Sequence, residues 1–123
     1  MNRYESKEDY LERILMLDEK TGFVRAIDIA NEMNYSKPSV SIALKKLKND
    51  GFIEVDPSNG KVSLTKSGRA KAIEVYERHK ILSSALIMLG VSEEVAKEDA
   101  CKIEHDISEE TFIKIKEFIQ KGR

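Results

Sequence analysis

The stretch SKPSVSIALKKLKNDGFIEVDPSNGKVSLT, residues 36–65, decides how this chain folds. Ser36 is placed to cap a helix, with Pro38 in the first turn, where a missing N–H costs little. Val40, Leu44 and Leu47 recur at helical spacing as a buried stripe, and Asn49-Asp50-Gly51 stops the helix. Two short β-prone runs follow, FIEV at 52–55 and VSLT at 62–65, joined by the turn formers DPSNGK; together they read as a hairpin. Working outward, Ile27, Ile29, Ala30 and Met33 belong to a helix over about residues 26–32, closed by a turn at Asn34-Tyr35. Before it, Ser6 with Asp9 forms a capping-box pattern. Leu11, Ile14, Leu15 and Asp18 then space a first helix over residues 7–19, ended by Thr21-Gly22. Two short helices, a tight turn, a third helix and a hairpin predict a winged helix-turn-helix.

Downstream, Thr65 caps a long helix running to about Leu89, where Gly90 breaks it. Ser92 starts a fifth helix that runs through CKIEHD at 101–106, and Ser108 starts a sixth that ends near Lys121. At 123 residues the chain is one domain, or two small subdomains sharing a core. No apolar run is long enough to span a bilayer, and MNRYESKEDY carries no apolar signal region, so no membrane is expected. The lone cysteine excludes an internal disulfide framework and suits a reducing, cytoplasmic setting. A net charge of −1 argues against a generally basic nucleic-acid binder, but residues 21–75 carry nine basic against six acidic groups, and both flanks are acidic.

That central charge sits where a reading helix needs it. Lys37, Lys45, Lys46 and Lys48 surround the third helix, and Ser36, Ser39 and Ser41 supply short donors near its start. Ile42 lies about 200° around the helix from Val40, away from the stripe. There it and Pro38 are placed to touch thymine methyl groups, unless Ile42 packs against a neighbouring element. Arg25, ahead of the second helix, and Lys61, in the hairpin, complete the candidate DNA contacts. Winged helices that bind proteins instead are the main alternative.

CKIEHD holds the only cysteine and one of two histidines. On a helix, Cys101, Glu104 and His105 share a face and make a transition-metal half-site. Taken alone, the hexamer reads more simply as a solvated face with a stray thiol, and Asp9 and Glu12 as a cap and a surface charge. Together with His79 in the fourth helix, these residues describe one metal site drawing on helices one, four and five. The segment ILSSALIMLG, 81–90, is apolar nearly all round and points to a homodimer interface.

EDYLERILML (8–17), IANEMNYSKPSVSIALKKLKNDGFIEV (29–55), LTKSGRAKA (64–72), ERHKIL (77–82) and EDACKIEHDIS (98–108) carry a resemblance. The chain resembles the iron- and manganese-dependent repressors of the diphtheria-toxin-repressor type, in which a metal-loaded dimer represses uptake genes. The resemblance implies that Asp9, Glu12, His79, Glu104 and His105 occupy ligand positions of the manganese-responsive branch. That branch has glutamate where this chain has Cys101. The iron-responsive branch has cysteine there, but methionine at the position of Asp9, so this chain is a hybrid. Ser83 and Lys97 replace a glutamate and a histidine of an ancillary site, and an SH3-like third domain is not expected.

The expectation is therefore a mainly α fold with a small β-hairpin wing. A winged helix-turn-helix DNA-binding domain spans 1–72, and a helical dimerisation and metal-binding domain spans 73–123. The function expected is a cytoplasmic, non-enzymatic, homodimeric repressor of double-stranded DNA operators, with Fe(II) or Mn(II) as co-repressor. A winged-helix regulator sensing an organic ligand, or a helical metal protein that does not bind DNA, are the rivals. Ligation by thiolate and neutral imidazole is expected to weaken at low pH.

Overall fold

The computed structural model describes residues 7–104 and 106–121; Ser6, the first half of the expected capping box, lies outside them. Six helices and one hairpin follow in order: α1 Lys7–Thr21, α2 Ala26–Met33, α3 Lys37–Asn49, β1 Ile53–Val55, β2 Val62–Leu64, α4 Lys66–Met88, α5 Glu93–Ile103 and α6 Glu109–Lys121. The chain divides between Glu74 and Val75 into two compact units, within which each element finds its core.

In the N-terminal unit, the apolar faces of the first three helices and the hairpin close on one core. Tyr10, Leu11, Ile14 and Leu15 come from α1, and Ile29 and Ala30 from α2; Ile27 is turned outward. Val40, Leu44 and Leu47 are the buried stripe of α3, as their spacing predicts. Asn34 ends α2 in the left-handed region at φ 58, a conformation asparagine tolerates, and so makes the tight turn. The Ser36 hydroxyl then accepts the Ser39 N–H at 3.3 Å and starts α3. Gly51, at φ 82, turns the chain out of α3.

The hairpin is antiparallel, pairing Ile53 with Leu64 and Val55 with Val62. A further bridge joins Val62 to Val24, just before α2, with the Val62 N–H donating to the Val24 carbonyl at 2.7 Å. The wing is thus tied to the helix-turn-helix through backbone. Its loop is organised by Asp56, whose carboxylate accepts the Ser58 N–H and O–H at 2.8 and 2.7 Å. Those bonds to Ser58 hold the Asp56 pKa below the usual carboxylate value.

Thr65 caps α4 as expected, its hydroxyl accepting the Gly68 N–H at 3.1 Å and donating to the Gly51 carbonyl at 2.7 Å. In the C-terminal unit, Leu82 of α4, Ala100 of α5 and Phe112 of α6 form the core, packed by Ile81, Leu86, Ile103, Ile107 and Ile115. Ser92 and Ser108 cap α5 and α6 by accepting the Val95 and Thr111 N–H groups at 3.4 and 3.1 Å. Arg78 lies over the Phe112 ring, 4.4 Å from its centroid, and pairs with Glu109. Two details depart from the sequence reading. The spacing of Val95, Ala96, Ala100, Ile103 and Ile107 reads as one core stripe, but Val95 is exposed while Ala96 beside it is buried. The helix also stops at Ile103, inside the 101–106 motif.

Gly68 packs directly on the hairpin: a Cβ there would stand 1.9 Å from the Phe52 carbonyl oxygen. Gly68→Ala gains about 1 kcal/mol of helix propensity but forces backbone apart, an overpacking cost of about 1–3 kcal/mol or more. A contact this short puts the cost at the upper end. Net destabilisation is expected, read as a lower urea midpoint; an unchanged or raised midpoint contradicts the packing.

Candidate metal centre and nucleic-acid interface

On α3, Lys37, Pro38, Ser41, Lys45, Lys46 and Lys48 are exposed. Ile42 is 58% exposed, so it points to solvent and not to a neighbouring element. An apolar side chain held in water on a lysine-flanked helix fits a groove-reading surface. Ser36, also exposed, caps the helix as well: its hydroxyl donates to Ser39 Oγ at 2.9 Å while accepting the Ser39 amide. Arg25 and Lys61 stand beside the wing, each with its cationic head 5.6 Å from the centroid of the Phe23 ring. The sequence reading singled out both cations and missed the ring. Phe-Val-Arg does not alternate in polarity, so no signal was available in the sequence; only the structure makes Phe23, Val24 and Arg25 exposed, buried and exposed.

Asp9 and Glu12 are both buried, on one face of α1. Their neighbours Tyr10 and Leu11 belong to the core, so the two carboxylates are held by a helix that has no freedom to turn. In the C-terminal unit, Cys101 is half-buried and Glu104 is buried. Although Glu104 lies just past α5, it keeps helical backbone angles of −60° and −24°, and its N–H still bonds Ala100. Cys101 and Glu104 therefore keep the one-face relationship that helical spacing predicts, with Sγ and a carboxylate oxygen within 4.8 Å of each other. His105 lies outside the described residues.

His79, on α4, reaches the α5 backbone: its Nε2 lies 2.9 Å from the Lys97 carbonyl oxygen. A carbonyl only accepts, so Nε2 carries the proton and the lone pair sits on Nδ1. That contact orients the ring as a carbonyl commonly orients a metal-binding imidazole. The Lys97 ammonium pairs with Glu93 at 3.2 Å and offers no lone pair to a cation, so it does not rebuild the ancillary position. The donor types fit a divalent cation. Buried carboxylates need compensation by hydrogen bonds or by positive charge, and the thiol, carboxylate and imidazole of the C-terminal unit are donor types that suit a transition metal.

Residues 4–61 match the family described as iron dependent repressor, N-terminal DNA binding domain, and residues 65–123 match its metal binding and dimerisation domain. The chain belongs to the iron-dependent repressor family. It is 42% identical to the transcriptional regulator MntR of Escherichia coli O157:H7 over 120 residues, covering 98% of this chain and 77% of that protein. It is 35% identical to the HTH-type transcriptional regulator MntR of Geobacillus kaustophilus over 115 residues, covering 94% and 81%. Among solved structures, the manganese regulator SloR matches with a TM-score of 0.83 at 29% identity, covering 94% of this chain and 54% of that one. T. acidophilum IdeR matches with a TM-score of 0.78 at 28% identity, covering 96% and 55%. The chain thus spans about half the length of these two solved structures. The winged helix-turn-helix read from residues 36–65 is the fold of this repressor family, and no helix of the described residues is long and apolar enough to cross a membrane.

The opposite exposure of Ile42 and Leu44 gives a direct test. Leu44→Ala should cost about 2–5 kcal/mol by opening a cavity, whereas Ile42→Ala should stay within about 0.5 kcal/mol and change sequence preference in DNA selection. Chemical denaturation separates them; comparable losses would place Ile42 in the core.

Proposed function

We propose that this repressor is a cytoplasmic homodimer that binds duplex DNA when loaded with Fe(II) or Mn(II), and that it controls metal-ion homeostasis. The observation that carries the reading is the Cys101–Glu104 pair, within 4.8 Å, in a family member whose other unit presents an exposed, lysine-flanked helix. Asp9, Glu12, His79, Cys101, Glu104 and His105 are the proposed ligands. A divalent cation supplies, when bound, the positive charge that lets carboxylates and a thiolate share one site.

The protein's own residues set the rest. Asp9 and Glu12 bring the helix that carries the N-terminal core, and Cys101, Glu104 and His79 bring the C-terminal core. Joining them restricts how the reading helices of a dimer are spaced. Two such modules must fit half-sites about 34–36 Å apart, or a multiple of that. A differential of roughly 100-fold in favour of the DNA-competent arrangement shifts the equilibrium by about 2.7 kcal/mol. The exposed apolar side chains of the C-terminal unit, led by Leu89 at 79% and Phe118 at 65%, fit the dimer face. DNA binding falls to the winged unit, with Arg25, Lys37, Pro38, Ser39, Ser41, Ile42, Lys45, Lys46 and Lys61 as contacts. Ser36, the cap of α3, is a contact as well.

Chelation should abolish sequence-specific DNA binding in an oxygen-free gel-shift assay, and a panel of divalent metals should restore it selectively. His79→Ala and Glu104→Ala should lose that response while sedimenting as folded dimers. Wild-type metal sensitivity in either variant removes that residue from the ligand set.

Cys101 sets the metal preference. Cys101→Glu exchanges soft sulfur for hard oxygen and should weaken Fe(II), Co(II) and Zn(II) more than Mn(II). Cys101→Ala should weaken every metal, because nothing replaces the donor. Anaerobic titrations of DNA binding with Mn(II) and Fe(II) decide it; identical rankings and midpoints for all three proteins make Cys101 a bystander.

A further inference from the structure

We propose that Phe23 presets Arg25 and Lys61 as a clamp for one backbone phosphate of duplex DNA. This rests on the DNA-binding reading above and adds to it a positioning residue. The Val24–Val62 bridge is its origin. Side chains alternate across a strand, so with Val24 and Val62 both buried, Phe23, Arg25 and Lys61 fall on the outer face. In that antiparallel register Arg25 stands opposite Lys61. Like charges directly opposite destabilise a ladder, yet here two cations converge. What they share is one ring: each head lies 5.6 Å from the Phe23 centroid, within cation–π range.

Arg25 is exposed and Lys61 partly exposed, and the acidic side chains near them in sequence have partners of their own. The Arg25 stem runs against Gly60, its Cδ 3.9 Å from where a Cβ would stand. The Asp28 carboxylate is engaged with the Arg25 backbone N–H at 2.9 Å. The Asp56 carboxylate accepts the Ser58 N–H and O–H. Phe23 itself is 39% exposed, an aromatic kept in water beside two cations. A phosphate suits the pair, accepting the planar guanidinium fork on one side and a compact ammonium on the other. All three residues lie within the stretch matched to the family's DNA-binding domain, which makes the phosphate that of DNA.

The test uses the full Mn(II)-loaded chain and a random-sequence duplex of about 30 base pairs, by fluorescence anisotropy between roughly 50 and 200 mM salt, where phosphate contacts dominate. The double variant Arg25→Gln, Lys61→Gln should lower the salt slope by about 0.9, one phosphate contact. Phe23→Leu should weaken binding roughly two- to five-fold, and Phe23→Tyr, which keeps the ring, should restore it. Phe23→Leu added to the double charge variant should cost nothing further, because the cations it positions are gone. An equal loss in both backgrounds means that Phe23 is merely structural and overturns the proposal, as does an unchanged slope in the charge variant. Thermal melts accompany each protein, and Phe23→Met carries the same comparison should Phe23→Leu fail to fold. Lys45→Gln separates the two levels. If it weakens binding while the clamp variants do not, the clamp is wrong and DNA binding stands; if the wild type binds no duplex, both fall.

Discussion

A carboxylate inside a protein has to be compensated, and that constraint organises this chain. Asp9 and Glu12 are buried on α1 between Tyr10, Leu11 and Ile14, which anchor the N-terminal core. Glu104 is buried one residue past Ile103 and four past Ala100, which belong to the C-terminal core. Each unit therefore holds its acidic groups through the same helix that builds its own core. A change in what the carboxylates bind is felt by the packing, because neither helix can rotate without exposing apolar surface.

The winged unit solves a different electrostatic problem. The whole chain carries a net charge of −1, which would disfavour any broad attraction to DNA. Positive charge is instead concentrated on the outward side of α3 and beside the hairpin. Leu44 and Leu47 keep the inner side of α3 fully apolar, so Lys45, Lys46 and Lys48 have nowhere to go but solvent. At the wing, the backbone bridge between Val24 and Val62 brings Arg25 and Lys61 together despite their repulsion. Such a pairing is tolerated because the exposed ring of Phe23 takes up part of the cost.

Glycine and threonine positions tie these surfaces to the fold. Gly68 lets the first turn of α4 rest on the Phe52 carbonyl, and Thr65 bonds the Gly51 carbonyl at 2.7 Å. The start of α4, the end of α3 and the first strand of the wing are thus held by a few short contacts. The Phe52 carbonyl also accepts the Thr65 N–H at 3.0 Å, so one peptide oxygen serves both the cap and the close approach.

Everything that depends on neighbours along the chain was legible in the sequence. Helical spacing located Val40, Leu44 and Leu47 inside and Ile42 outside; Ser36, Thr65, Ser92 and Ser108 marked where helices begin; and DPSNGK marked the hairpin. The one-face placement of Cys101 and Glu104 was likewise legible, because helical geometry alone brings i and i+3 together. Contacts between distant segments were not legible. Nothing in FVR or in GKV states that Val24 will bridge Val62, so Phe23 could not be assigned to Arg25 and Lys61. The hydrogen bond from His79 to the Lys97 carbonyl, which selects the imidazole tautomer, depends on how α4 and α5 pack. Periodicity and capping are properties of a few consecutive residues, whereas register between separated segments is decided only when their side chains compete for one core.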